Sequence, residues 1–240
     1  MDMSHGDHSP ERRDGSRSPS PRRKALREEF ERETEFFRRG EEEQRSQFCV
    51  AQGHLQAVRG ICVLGDMAYT GSMDGTVKAW DLSSLMYAAG PHATAPKPVR
   101  TLPGNPSGIS CLTLMDERYL SAGGWDADVR VWDLANDARA LKPFKGHSEF
   151  VRAVAGRNGL LFSGGNDRTI RVWDVASEEC LGMMAGHTLA VLCLAVASDG
   201  RRLFSGGYDF LVKVWDVESR QCVADLGGTH AGRHRARGPA

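Results

Sequence analysis

The chain has 240 residues, 40% of them apolar, and its 31 basic and 31 acidic residues cancel to a formal net charge of zero. That length leaves room for one or two ordinary domains with a sizeable core, and the balanced charge selects neither nucleic acid nor an acidic partner. No apolar run approaches the roughly 18 residues a membrane helix needs, and the polar start "MDMSHGDHSPERR" does not read as a secretory leader, so an intracellular chain without a membrane role is expected.

Residues 1–20 hold Ser, Pro, Gly, Arg and His with almost no aliphatic side chains. Such a stretch cannot bury enough apolar surface to offset the entropy lost on ordering, and disorder is expected. Ser9-Pro10, Ser18-Pro19 and Ser20-Pro21 lie in it, the last two beside a basic cluster, as in phosphorylatable nuclear tails. From Pro21 the pattern changes: Ser20 can cap, Pro21 suits a first helical position, and Leu26, Phe30 and Phe37 share one face. Glu28–Arg32 and Glu35–Arg39 are favourable i,i+4 pairs and Gly40 stops the run, so 21–47 is expected to be a charged α-helix and linker.

From residue 48 the chain repeats itself. Gly53 to Asp81 reads "GHLQAVRGICVLGDMAYTGSMDGTVKAWD", Gly146 to Asp174 "GHSEFVRAVAGRNGLLFSGGNDRTIRVWD", and Gly186 to Asp216 "GHTLAVLCLAVASDGRRLFSGGYDFLVKVWD". Each unit has an apolar run after Gly-His, a second run ending in a small hydroxyl residue, a Gly-rich turn containing Asp, and a third run closing on Trp-Asp. Runs of four to seven residues rich in β-branched and aromatic side chains, broken by Gly and Asp, predict strands. A fourth strand is expected before each following unit, at "QFCVA", "LKPFK", "CLGMM" and "CVADL" among others. The ordered region is thus 48–226, with repeats near 48–81, 99–133, 141–174 and 180–216, a strand at 221–226, and a basic tail over 227–240.

Four tandem units of this grammar resemble WD40 repeats, the units of β-propellers. The resemblance implies an all-β fold of propeller blades, four full repeats and the start of a fifth at "GGTH" (227–230). It also implies a hydrogen-bonded set within each blade: His54, Thr70, Asp74 and Trp80; His147, Ser163, Asp167 and Trp173; His187, Ser205, Asp209 and Trp215. The second repeat departs from this. "LPGNPSG" replaces the Gly-His, so Asn105 substitutes weakly for the imidazole, and Ser121, Asp126 and Trp132 imply a turn one residue longer. That blade is expected to be the least stable. The 52 residues from Trp80 to Trp132, against 41 and 42 for the next intervals, place a Pro/Ala loop at "SSLMYAAGPHATAPKPVR".

Five candidate fourth strands against four sets of the first three leave the ring unclosed, which suggests a piece of a longer propeller or an open arc able to self-associate through a sheet edge. The six cysteines show no CxxC pairing and read as buried thiols of a reducing compartment, with no metal site or cofactor. No Walker loop or nucleophile elbow is present, so no catalytic residue and no enzyme is expected.

Partner-facing positions implied by the resemblance are Arg59 and Arg152, Phe150, and, just before the turn Asp, Met73, Trp125, Asn166 and Tyr208. Exposed aromatics and arginines are common interface anchors. Three functions are carried forward: a scaffold or adaptor holding protein partners on a propeller face; a nuclear RNA-processing component, from the Ser/Arg-like tail; and a ubiquitin-ligase substrate receptor reading acidic or phosphorylated peptides with Arg59 and Arg152. The last is weakened by the lack of Arg two residues after any Trp-Asp. Localisation is expected to be nuclear or cytoplasmic, nuclear slightly favoured.

Overall fold

The computed structural model describes residues 52–83, 97–102 and 106–227. The Ser/Pro/Arg stretch, the charged-helix segment, "QFCVA", Asn105, most of the Pro/Ala loop and the basic tail lie outside the described residues.

Among the described residues sixteen strands form four antiparallel four-stranded sheets, as expected of blades. The first holds β1 (Val58–Leu64), β2 (Met67–Ser72), β3 (Val77–Asp81) and β4 (Arg100–Leu102). The second holds β5 (Ile109–Met115), β6 (Tyr119–Gly124), β7 (Val129–Asp133) and β8 (Arg139–Ala140). The third holds β9 (Val151–Arg157), β10 (Leu160–Gly165), β11 (Thr169–Asp174) and β12 (Glu179–Ala185). The fourth holds β13 (Val191–Val196), β14 (Arg202–Gly207), β15 (Leu211–Asp216) and β16 (Cys222–Gly227). Among the described residues no helix is long and apolar enough to cross a membrane.

Each sheet is a meander of consecutive strands, joined by turns too short for a crossover except between β3 and β4. The Asp of each Trp-Asp closes the turn into the fourth strand. Asp81 accepts the Ser83 amide at 2.9 Å, Asp133 that of Ala135 at 3.2 Å, Asp174 that of Ala176 at 2.8 Å, and Asp216 that of Ser219 at 2.9 Å. The outer strand of the second sheet differs from the expected "LKPFK". Pairing starts earlier, at Arg139–Ala140, continues through the Leu141 amide to Val131, and resumes only at the Val129–Phe144 bridge. Pro143 stands between, and with no N–H it cannot extend the ladder.

The inner strands pack in sequence, β1 on β5, β5 on β9 and β9 on β13. Each junction has its own apolar core. Tyr69, Val77 and Leu102 meet Ile109, Leu120 and Trp132. Val129 and Phe144 meet Val151, Leu161 and Trp173. Phe162, Ile170 and Met184 meet Val191, Leu203 and Trp215. Against the expectation that the second blade is weakest stands its packing: covered on both faces, it holds Ile109, Met115, Leu120, Val129 and Trp132 with no exposed surface. Hydrogen exchange should therefore be slowest across β6 and β7 and fastest in β1 and β16, whose residues are mostly open to solvent. Amide exchange read by mass spectrometry checks this order.

The cysteines are not uniformly buried, as the sequence had suggested. Cys62 and Cys111 are partly covered, whereas Cys180, Cys193 and Cys222 are exposed. Cys111 lies at the second–third junction, where burial pushes its thiol up to about 12 despite a hydrogen bond with the Gly123 backbone.

Candidate functional site

Within a blade, the second strand places a hydroxyl beside the indole of the third. Trp80 donates its Nε1–H to Thr70 Oγ1 at 2.7 Å, Trp173 to Ser163 Oγ at 2.8 Å, and Trp215 to Ser205 Oγ at 2.8 Å. The hydroxyl's own hydrogen is then free for histidine Nε2, at 2.7 Å for His54, 2.8 Å for His147 and 2.7 Å for His187. Nδ1–H remains for the carboxylate: Asp74 at 3.0 Å, Asp167 at 2.7 Å and Asp209 at 2.8 Å. In the first and fourth blades Gly precedes His because the indole fills the space a Cβ would need. An added Cβ would lie 2.8 Å from Trp80 at Gly53 and 3.0 Å from Trp215 at Gly186.

The turn carboxylates are held by more than histidine. Burial alone would raise the Asp74 carboxyl, yet bonds from the Thr76 hydroxyl, the Leu55 and Thr76 amides and His54 hold it well below the usual carboxylate range. At Asp167 the burial penalty is outweighed by His147 and by the hydroxyl and amide of Thr169. At Asp209 it is outweighed by the Thr188 amide, His187 and the Leu211 amide. With four donors at Asp74, four at Asp167 once the Ser148 amide is counted, and three at Asp209, these carboxylates are occupied in closing turns rather than offered as bases.

The second blade requires a correction. Ser121 is not at the hydroxyl position. Ala122 pairs with Arg130 as Ser163 pairs with Arg171, Thr70 with Lys78 and Ser205 with Lys213. Ser121 is one residue earlier and therefore on the other face, where its buried Oγ has no partner among the described residues. The turn has the same length as the others, with Gly124 N–H bonded to Asp128 O as Ser72 N–H is to Thr76 O, both at 3.1 Å. Asp126 is clamped by Arg130, at 3.2 Å from Nη1 and 2.7 Å from Nη2. A nearly buried guanidinium on β7 thus binds the turn carboxylate that histidine binds elsewhere.

The positions that the WD40 resemblance implies to face partners form a second repeating set. Arg59, Ser110, Arg152 and Leu192 are each skipped by the inner-strand register, which steps from Val58 to Gly60, Ile109 to Cys111, Val151 to Ala153 and Val191 to Cys193. Each is the extra residue of a β-bulge, the device that re-aims a side chain out of the pleat. Across the same end of each blade, the residue before the turn Asp donates its amide to the inner-strand approach: Met73 to Ala57, Trp125 to Gly108, Asn166 to Phe150 and Tyr208 to Ala190, all at 2.9 Å.

These positions are not equivalent in what they carry. Trp125 of the second blade and Phe150 of the third stack at 5.7 Å between centroids and 14° between planes. The Arg152 guanidinium lies 6.0 Å from the Phe150 centroid, and its Nε donates to Asn166 Oδ1 at 2.8 Å. The pair borders a shallow cavity of about 260 Å³ that Asp126, Ser148, Glu149 and Asn166 complete. Arg59 and Tyr208 are exposed, on the first and fourth blades, and Ser110 is buried with its hydroxyl bonded to the Gly123 and Val151 carbonyls. The stacking across two blades was not foreseen, since Trp125 and Phe150 lie in different repeats. Among the described residues no group of three His, Cys, Asp or Glu side chains could hold a metal ion.

The comparisons agree with this geometry. The model of the family described as "WD domain, G-beta repeat" matches residues 46–81, 96–133, 139–174 and 178–216, together more than half of the chain. Over 103 residues the chain is 31% identical to F-box/WD repeat-containing protein 9 of Bos taurus, covering 41% of this chain and 22% of that protein. Over 143 residues it is 32% identical to myosin heavy chain kinase C of Dictyostelium discoideum, covering 58% and 17%. Over 95 residues it is 36% identical to a ribosome biogenesis protein WDR12 homolog of Drosophila mojavensis, covering 35% and 22%. The chain spans about a fifth of the length of these relatives. With four matched repeats, each supplying the first three strands of one four-stranded sheet, the chain belongs to the WD40 repeat family.

Proposed function

We propose that the chain is a non-enzymatic scaffold or adaptor that holds protein partners on the blade end carrying the turn aspartates. The observation that carries this reading is the Trp125–Phe150 stack, built by two blades, partly exposed, and flanked by Arg152. Paired rings present a broad apolar surface already fixed in one conformation, so a partner loses little entropy in docking on them. The residue types of a hydrolytic triad are present, but in three blades at matching distances and inside the clamps that close the turns. We read them as structural. A photoreactive phenylalanine at Phe150 should form protein adducts in cells, and the same residue at Asp199, at the opposite end of the fourth blade, should not. Adducts with RNA alone would replace the scaffold with the RNA-processing reading, which the basic Ser/Pro tail and the name of the ribosome-biogenesis relative support.

Recognition of acidic or phosphorylated peptides is the second reading. Its support is Arg152, held by Asn166 with its guanidinium near an aromatic ring, and Arg59 at the same bulge position two blades away. Glu149 on the cavity wall opposes an anionic ligand, which ranks this reading below aromatic anchoring.

A further inference from the structure

The three junctions between blades follow one rule, and the chain keeps one unused half of that rule at each end. On the face each blade turns to its successor, one cross-strand row contains a glycine of the second strand. In the first three blades these are Gly71, Gly123 and Gly164. Onto each sits the first residue of the next blade's inner strand. An added Cβ would lie 2.8 Å from Ile109 at Gly71, 2.6 Å from Val151 at Gly123 and 2.6 Å from Val191 at Gly164. A β-branched knob thus fills a glycine hole at every junction, and packing that close explains why no larger residue occupies the hole.

In the fourth blade the equivalent row is Cys193, Gly206, Val212 and Leu226. An added Cβ at Gly206 would meet only its own blade's Cys193. Val212 is 42% and Leu226 53% exposed, against 1% for their counterparts Ile170 and Met184 in the third blade. On the first blade the counterpart of the knobs Ile109, Val151 and Val191 is Val58, which is 51% exposed where those three are fully covered. Among the described residues the chain therefore carries an uncovered hole of the third-blade type and an uncovered knob of the fourth-blade type.

We propose that a second copy of this chain completes both: Val58 of each copy seats on Gly206 of the other, and two four-blade arcs close into an eight-bladed pair. The contact is heterologous, one face type on another, and a heterologous contact must either close a ring or grow a filament. Closure at two copies buries both free faces of both chains. What selects a second copy as occupant is that each free face is of the kind its mate covers three times within this chain.

The test uses the full chain. Sedimentation across the micromolar range should show twice the monomer mass. Val58→Asp and Val212→Lys alter residues already half exposed, so each blade should keep its circular dichroism and melt. Each variant alone should be monomeric, its half-association concentration raised at least about tenfold by a charge buried without a mate. Mixed in equal amounts the two variants should associate again, because one interface of the mixed pair is unaltered and the other sets the new carboxylate against the new ammonium. Iodoacetamide labelling gives a separate readout: Cys193 should be protected in the pair, while exposed Cys180 labels at an unchanged rate. A wild-type monomer, a filament, an assembly that survives either substitution, variants that fail to recover on mixing, or Cys193 labelling indifferent to association would each overturn the proposal.

Discussion

Trp173→Ala should lower unfolding free energy by about 3–5 kcal/mol, the range for truncating a large core aromatic. Trp173 is almost wholly buried at the second–third junction, with Phe144 5.5 Å away between centroids and Val129, Val131, Val151, Val154 and Leu161 in the same cluster. Its indole N–H also satisfies Ser163. The substitution opens a cavity between two blades and removes the donor to a hydroxyl with no exposed surface. Trp173→Phe keeps much of the volume and loses the N–H, so it should cost distinctly less. Urea titrations followed by circular dichroism measure both. An alanine variant within about 1 kcal/mol of wild type would mean that the indole is not a core member.

His147→Ala should cost about 1–3 kcal/mol, because it deprives Ser163 of its acceptor and Asp167 of one donor while both stay in the interior. The same clamps make a pH prediction. Asp74, Asp167 and Asp209 have folded carboxyl pKa values below the unfolded one, so the unfolded chain takes up protons first as pH falls. Their contribution is complete above the ordinary carboxylate range and is lost as pH falls toward the lowered folded values. Melting temperature should fall steadily below about pH 4. Asp167→Asn, which cannot titrate, should start less stable and lose less on acidification. A variant whose acid profile runs parallel to wild type would show that Asp167 is not among the linked groups.

Much of the architecture is legible in the sequence because each repeat carries the same turn chemistry. Gly-His and Trp-Asp mark where strands begin and end, and the hydroxyl-to-Asp spacing fixes the β2–β3, β10–β11 and β14–β15 hairpins. The second blade shows where that reading fails. Counting back from Asp126 to the nearest hydroxyl reaches Ser121, whereas the Leu120–Trp132 pairing puts Ala122 at the hydroxyl position, and one residue in a strand exchanges faces. Arg130 was missed as the histidine's replacement because every repeat carries a basic residue at its place, Lys78, Arg171 and Lys213 in the others, so nothing in the pattern marks it out. Trp125 and Phe150 could each be assigned to a rim, but their contact depends on how neighbouring blades pack. The exposed cysteines were misjudged for a related reason. Cys111 and Cys193 occupy one position in the repeat, yet only Cys111 has a following blade to cover it.

On the proposed function, Trp125 and Trp173 have different tasks, one facing partners and one holding a blade. The most direct test measures both properties on both alanine variants, with affinity capture from cells quantified by mass spectrometry alongside a urea melt. Trp125→Ala should cost about 0.5–1.5 kcal/mol, the loss of its stack on Phe150, and lose partner capture on the order of 30-fold, the size expected of an interface anchor worth about 2 kcal/mol. Trp173→Ala should show the large loss of stability. A Trp125→Ala chain that captures its partners undiminished, or that unfolds as readily as Trp173→Ala, would contradict the division on which the proposed function rests.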